Sequence, residues 1–252
     1  MPRIEGWLRQ FHEPDSPGNM TLLVFPHAGA GASAYREFSR TLSAEFRVVV
    51  FQYPGRQDRA TEASLNSLPH IAAGAFHDFS KSEHNRGAPL IAFGHSMGAL
   101  VAFEFVRIAE ARGIDVRHLT VSAAVAPSNV AAKPPHPKDD EDILNHLAAL
   151  EGTDTDVIAS REVMRLALPV IKADYNAFDA YSCAEDIKVA APIHAIGGDS
   201  DPYVTLGDLY GWRKHTDTVK VTMFDGGHFY LKSHIDAVAE LLAASAQCEQ
   251  TA

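Results

Sequence analysis

Gly94-His95-Ser96-Met97-Gly98 constrains this chain more than any other stretch. It follows the apolar run Pro89-Leu90-Ile91-Ala92-Phe93 and precedes Ala99 to Arg107, a segment of helical composition. A G-x-S-x-G between a strand and a helix is a nucleophile elbow, a strained turn that holds its serine out at the edge of a sheet. Side chains two residues either way would collide with neighbouring backbone, which accounts for both glycines. The helix that starts there aims its first amides at charge developing beside the serine. A chance pentapeptide in a glycine-bearing loop is the alternative, and the flanks favour the elbow.

The rest of the chain alternates as such an elbow requires. Short continuous apolar runs at Thr21–Phe25, Arg47–Tyr53, 89–93, His118–Ala124, Ala191–Ile196 and Val219–Phe224 read as buried strands. Helical stretches are expected at 34–44, 67–81, 97–112, 205–213 and 232–246. Strand and helix in alternation imply right-handed crossovers and a parallel sheet. With the elbow, this predicts an α/β-hydrolase fold: a mostly parallel central sheet flanked by helices, in one domain over residues 1–252. Residues 1–19 read as a short arm ending in turn chemistry, with Pro14, Asp15, Ser16, Pro17, Gly18 and Asn19. Residues 127–188 break the alternation, opening with Lys133-Pro134-Pro135-His136-Pro137 and continuing in helical pieces at 140–150, 154–165 and 169–180. An insertion of that length is too long for a plain loop and is expected to be a helical lid over the site. A structural layer without a gating role is the other reading.

A net charge of −10 without a Lys/Arg run argues against nucleic acid as a partner. Cys183 and Cys248 make neither a disulfide framework nor a zinc site, and no metal or cofactor is expected. No run approaches transmembrane length and the N-terminus lacks an apolar leader, so the expectation is a cytoplasmic protein without a membrane partner, acting as a monomer.

A serine nucleophile needs a base, and the base an orienting carboxylate, which in this fold follow the serine in the order acid, then histidine. Among the 13 histidines, His228 comes just after a strand end on the loop Asp225-Gly226-Gly227-His228. His215 and His234 fall in or beside helices, and His95 is expected to pack beneath the elbow. The acid belongs at the C-terminal end of a parallel strand, where Asp199 and Asp201 both qualify. Asp201 is preferred, with Asp199 as a cap or turn residue. Asp174 and Asp179 are expected to be solvated or hinge residues of the lid. The oxyanion hole needs two backbone amides: Met97, after the nucleophile, and Ala28, in the loop after the first core strand. That loop also carries Gly29-Ala30-Gly31-Ala32-Ser33-Ala34, a loose dinucleotide pattern. The next strand ends in Phe51-Gln52-Tyr53, without the acidic residue such a site wants, and the pattern is set aside.

Several segments resemble one family. Phe25-Pro26-His27-Ala28-Gly29, Tyr53-Pro54-Gly55-Arg56-Gln57-Asp58-Arg59, Phe93 to Gly98 and Gly227-His228-Phe229-Tyr230-Leu231 are similar to the type II thioesterases of polyketide and nonribosomal peptide synthesis. Leu168-Pro169-Val170-Ile171-Lys172-Ala173-Asp174-Tyr175 is similar to their lid signature, and Ser122 through Pro127 to the segment leading into the lid. The match runs in order from about residue 20 to 235. It implies hydrolysis of acyl thioesters on the phosphopantetheine arm of an acyl or peptidyl carrier protein, with Ser96, Asp201 and His228 as triad and Ala28 and Met97 as oxyanion hole. Gln57 departs from the family's usual glutamate. Small lid residues such as Ala167 and Ala177 are expected to tune chain length. A carboxylesterase, a fatty acyl carrier or coenzyme A thioesterase, and a non-hydrolytic carrier-binding component are the rival readings.

Overall fold

Within each central strand, successive side chains point to opposite faces, and here both faces are covered. That is why the strands read as unbroken apolar runs rather than alternating ones. The computed structural model describes residues 3–16, 19–151 and 157–247. Leu23 and Phe25 of β3 (Thr21–Phe25) and Val49 and Phe51 of β4 (Arg47–Phe51) join one core. It is shared with helices α2 (Leu68–Lys81) and α3 (Met97–Ala111). Their neighbours Leu22, Val24, Val48 and Val50 join a second core under α1 (Arg36–Leu42) and α7 (Ile235–Gln247). Truncating a side chain such as Leu23, fully buried, should cost about 2–5 kcal/mol.

Among the described residues the sheet has eight strands in the order β1-β2-β4-β3-β5-β6-β7-β8, with β1 Arg3–Glu5, β2 Leu8–Gln10, β5 Leu90–His95, β6 Val116–Ser122, β7 Ile193–Gly198 and β8 Val219–Phe224. From β4 to β8 every neighbouring pair is parallel, in the mostly parallel arrangement expected. Helix α6 (Leu206–Tyr210) lies between β7 and β8 and starts with a reciprocal cap between Thr205 and Asp208.

The N-terminal arm is not a plain arm. Residues Arg3–Glu5 (β1) and Leu8–Gln10 (β2) form an antiparallel hairpin that extends the sheet along β4. Strands this short carry no readable period; β1 is exposed, and the burial of β2 comes from distant partners. Leu8 is buried, Trp7 packs edge-on to Tyr53, and the Trp7 N–H donates to Asp78 Oδ2 at 2.9 Å. Pro17 and Gly18 of the expected turn, and Cys248, lie outside the described residues.

Between β6 and β7 the chain leaves the sheet. It makes a 3-10 turn at Pro127–Ala132, then α4 (Asp140–Glu151) and α5 (Val157–Asp179). The expected break between helices ending at 165 and starting at 169 is absent, and residues 154–156 of the first of them lie outside the described residues. Pro169 sits inside α5, where it forfeits one helical hydrogen bond. Leu168, Ile171 and Tyr175, spaced along one helix face, pack on Ile143 and Leu144 of α4 and carry the helix through the proline.

Candidate active site

The carboxyl ends of the parallel strands converge on one point. β5 ends at His95 and α3 begins at Met97, leaving Ser96 alone between them at φ 54° and ψ −125°. A Cβ on Gly98 would lie 2.1 Å from the Phe25 carbonyl oxygen, and one on Gly94 would lie 2.3 Å from the Gly98 oxygen. The strained turn therefore admits glycine at both flanks, for the reason read from the motif.

His228, on the loop after β8, bridges to that serine. Its Nδ1 lies 2.7 Å from Asp201 Oδ2 and its Nε2 3.0 Å from Ser96 Oγ. A carboxylate can only accept, so Nδ1 carries the hydrogen and Nε2 is free to accept from the serine hydroxyl. The Asp201 side chain is wholly buried, and its other oxygen accepts the Tyr203 and Val204 amides at 2.8 and 3.2 Å. Asp199 turns away from this line and accepts the Gly226 N–H at 3.1 Å, as a turn residue would. Sequence and structure thus bring Ser96, Asp201 and His228 to one place.

Two further imidazoles crowd His228. His95 lies beneath the elbow with Nδ1 2.9 Å from Ser122 Oγ, which in turn lies 2.7 Å from the Tyr230 hydroxyl. His27 faces the Tyr35 hydroxyl at 2.8 Å. Burial, reinforced by the nearby His228, pushes His27 down to about 3 and His95 well below the usual imidazole range. Both stay neutral near pH 7 and add no cation beside His228.

The loop after β3 packs against the start of α3, and all but one of the amides from His27 to Ala30 are taken within the protein. His27 N–H donates to Tyr35, Gly29 N–H to Asp174 and Ala30 N–H to the His27 carbonyl. The Ala28 N–H has no acceptor among the described residues, and Ala28, Met97 and Ser96 line the same cavity of about 370 Å³. The insertion walls that cavity with Leu147, Leu150, Tyr175 and Phe178. This arrangement can move a proton from serine to histidine while two free amides face the oxygen of an attacked carbonyl. Among the described residues, no three His, Cys, Asp or Glu side chains gather as a metal site.

The profile of the thioesterase domain family matches residues 20–246. The chain belongs to that family. Thioesterase PikA5 of Streptomyces venezuelae is 38% identical over 228 residues, which cover 89% of this chain and 80% of PikA5. Phenyloxazoline synthase MbtB of Mycobacterium tuberculosis is 42% identical over 245 residues, 96% of this chain, and the chain spans 17% of MbtB's length. The type II thioesterase BorB from the borrelidin biosynthetic cluster superposes with a TM-score of 0.88 at 38% identity, over 96% of this chain and 98% of BorB.

Three sequence expectations need correction. Asp174 is neither solvated nor a hinge: it is fully buried and paired with Arg56. Asp179 is held by His136, whose Nδ1 lies 2.6 Å from its carboxylate. Ala177 belongs to the core beneath the sheet face, and Ala167 packs on the α4–α5 cluster, so neither borders the cavity. The side chains that do border it are the larger Leu147, Leu150 and Phe178. The Arg56–Asp174 pair carried one sequence signal, since both residues fall in segments that resemble family motifs. Nothing local said that they meet.

Proposed function

We propose that a single copy of this thioesterase, in the cytoplasm, hydrolyses acyl thioesters held on the phosphopantetheine arm of an acyl or peptidyl carrier protein. It thereby clears stalled or misprimed chains from polyketide or nonribosomal peptide synthases. The observation that carries the reading is the unbroken hydrogen-bond line from Asp201 through His228 to Ser96, opening on a largely apolar cavity. Ser96 Oγ attacks the thioester carbonyl as its proton passes to His228 Nε2, and Asp201 steadies the imidazolium. The Ala28 and Met97 amides receive the oxyanion. The C–S bond breaks and the thiol leaves with the proton from His228. Water, deprotonated by His228, then splits the acyl-enzyme and frees the acid. Residues 1–252 act as one catalytic domain, with 127–188 as a lid that encloses the acyl chain. PikA5 and BorB, named as thioesterases and the latter from a biosynthetic cluster, support the pathway assignment.

The match to a segment of MbtB favours a second reading, release of a finished product from its synthase. Incubation with a panel of acyl-phosphopantetheinyl carrier proteins, followed by intact-mass analysis, tests both. Loss of short, stalled acyl groups supports editing; loss of full-length chains alone supports release. Equal rates on carrier and coenzyme A thioesters would remove the carrier as the recognised partner.

A further inference from the structure

A second histidine–carboxylate pair stands at the cavity: His136 lines it and Asp179 holds His136 from behind. His136 belongs to the proline-flanked stretch that leads into the insertion, and Asp179 is the last residue of α5. The His136 N–H donates to Asp179 Oδ2 at 3.0 Å, and its ring Nδ1 lies 2.6 Å from Asp179 Oδ1. The ring stacks on Tyr175 with centroids 4.0 Å apart and meets Phe178 edge to face at 5.0 Å. One carboxylate and two aromatic rings thus fix both the orientation and the tautomer of His136. Because Asp179 takes the Nδ1 hydrogen, the neutral ring keeps its lone pair on Nε2.

That lone pair is unused. Among the described residues, Nε2 of His136 has no hydrogen-bond partner, yet it is not sealed in the interior as Nε2 of His95 and His118 are. His136 lines the cavity, and its side chain is about one-fifth exposed there. The wall around it combines apolar Leu147, Leu150 and Phe178 with the rings of Tyr175 and of His146, the latter 5.6 Å away edge to face. A hydrocarbon chain in such a cavity covers the nitrogen and leaves it unsatisfied, whereas a chain bearing O–H or N–H satisfies it. A polar group held in a fixed orientation discriminates far better by hydrogen bonding than a pocket does by methylene count.

We infer that His136 Nε2 is a recognition point for a hydrogen-bond donor on the acyl chain. The enzyme thus selects hydroxylated or N–H-bearing acyl groups over hydrocarbon and keto groups of equal length. The inference rests on the reading above that this cavity takes the acyl chain.

The test is kcat/KM on carrier-bound acyl thioesters in matched sets: unsubstituted, hydroxylated and keto, with the substituent moved along the chain. At one position the wild type should favour the hydroxylated member over both partners by about 5- to 10-fold, the size of one hydrogen bond. His136→Phe keeps a ring to stack on Tyr175 but loses the nitrogen, and the ratio should fall to near unity. Asp179→Asn can hold the His136 N–H with its carbonyl and donate its amide to Nδ1. That moves the ring hydrogen to Nε2, and the hydroxyl-to-keto ratio should then drop because a ketone can accept. A merely structural His136–Asp179 latch would change all members by a common factor. That result in both variants, or a wild type without the hydroxyl preference at any position, overturns the proposal. An enzyme inert on every carrier thioester overturns the underlying reading as well, so the two failures are distinct.

Discussion

Arg56 and Asp174 form a two-pronged ion pair in the interior, with Nη1 to Oδ2 and Nη2 to Oδ1 both at 2.9 Å. They stand 118 residues apart in sequence, the carboxylate fully buried and the guanidinium nearly so. The same carboxylate accepts the Gly29 N–H at 2.8 Å, and the guanidinium reaches the Ala30 carbonyl at 3.3 Å. Gly29 cannot carry a side chain here: its φ is +75°, and a Cβ would lie 2.5 Å from Ile171 of α5. One charge pair therefore locks the insertion, the turn after β4 and the loop that bears Ala28. Gly29 follows Ala28 directly, so the pair sets where the free Ala28 amide points.

A buried pair adds little net stability over apolar replacements, but removing one partner strands a charge. Asp174→Ala should cost about 3–5 kcal/mol in urea unfolding and lower kcat more than it raises KM. The double variant Arg56→Met/Asp174→Leu strands no charge and should regain most of the stability, yet it cannot hold the Gly29 amide. If the double variant also regains full kcat, the pair does not position the Ala28 loop.

Ser96 holds a strained backbone at the end of the Asp201–His228 line, where the proposed mechanism makes it the nucleophile. Ser96→Ala should reduce acyl release by about 10³-fold or more while its unfolding curve stays close to wild type. A serine-directed phosphonate should add mass to the peptide containing Ser96 and to no other. Substantial turnover by the alanine variant would mean a different nucleophile.

The two aspartates after β7 should separate cleanly. Asp201→Asn can pair with His228 in the wrong tautomer and should lower kcat by about 10²–10⁴-fold. Asp199→Asn keeps a carbonyl oxygen that can accept the Gly226 N–H and should stay within a few-fold of wild type. Steady-state kinetics that rank the pair the other way would reassign the acid.

Acid should unfold the protein through its buried histidines, those outside the site included. Burial, helped by neighbouring charges, lowers His118 and His194 to about 4 in the folded state. An unfolded imidazole titrates near 6.5, so between about pH 6.5 and 4 the unfolded chain binds protons that the folded one refuses. Stability is unaffected above that window and falls with pH inside it, by about 1.4 kcal/mol per pH unit for each such group. His118→Phe should flatten the slope in urea titrations run from pH 7 to 5. A flat wild-type profile over that range would contradict the assignment.

The sequence made the elbow, the parallel strands and the Ser96–Asp201–His228 order legible because each is a local pattern tied to one chemistry. Strand limits were less clear: β6 runs from Val116 to Ser122, two residues before the apolar stretch ends, because Ala123 turns to φ +48°. The hairpin at Arg3–Gln10 was hidden because its strands are too short to show a period. Pro169 pointed to a helix break, and tertiary packing overrode it. Asp174 and Asp179 looked like lid-surface carboxylates, because the partners that bury or hold them, Arg56 and His136, lie far along the chain.

The wall of the cavity, and not the small residues first expected, should set chain length. Leu150 is buried at the end of α4 and lines the cavity, while Leu147, one turn earlier, lines it half-buried. Leu150→Trp or Leu147→Trp fills space that a long acyl chain needs, so kcat/KM for long chains should fall about 10-fold or more. Short chains should change by less than about 3-fold, since an added ring excludes by volume alone. Ala177→Leu acts elsewhere: it overpacks the core, costs about 1–3 kcal/mol of stability and should leave the chain-length profile in shape. The measurement is kcat/KM across acyl lengths on one carrier protein, with unfolding curves for each variant. If the tryptophan variants scale every length by one factor while Ala177→Leu reshapes the profile, the acyl chain runs along a different path from the one this cavity defines.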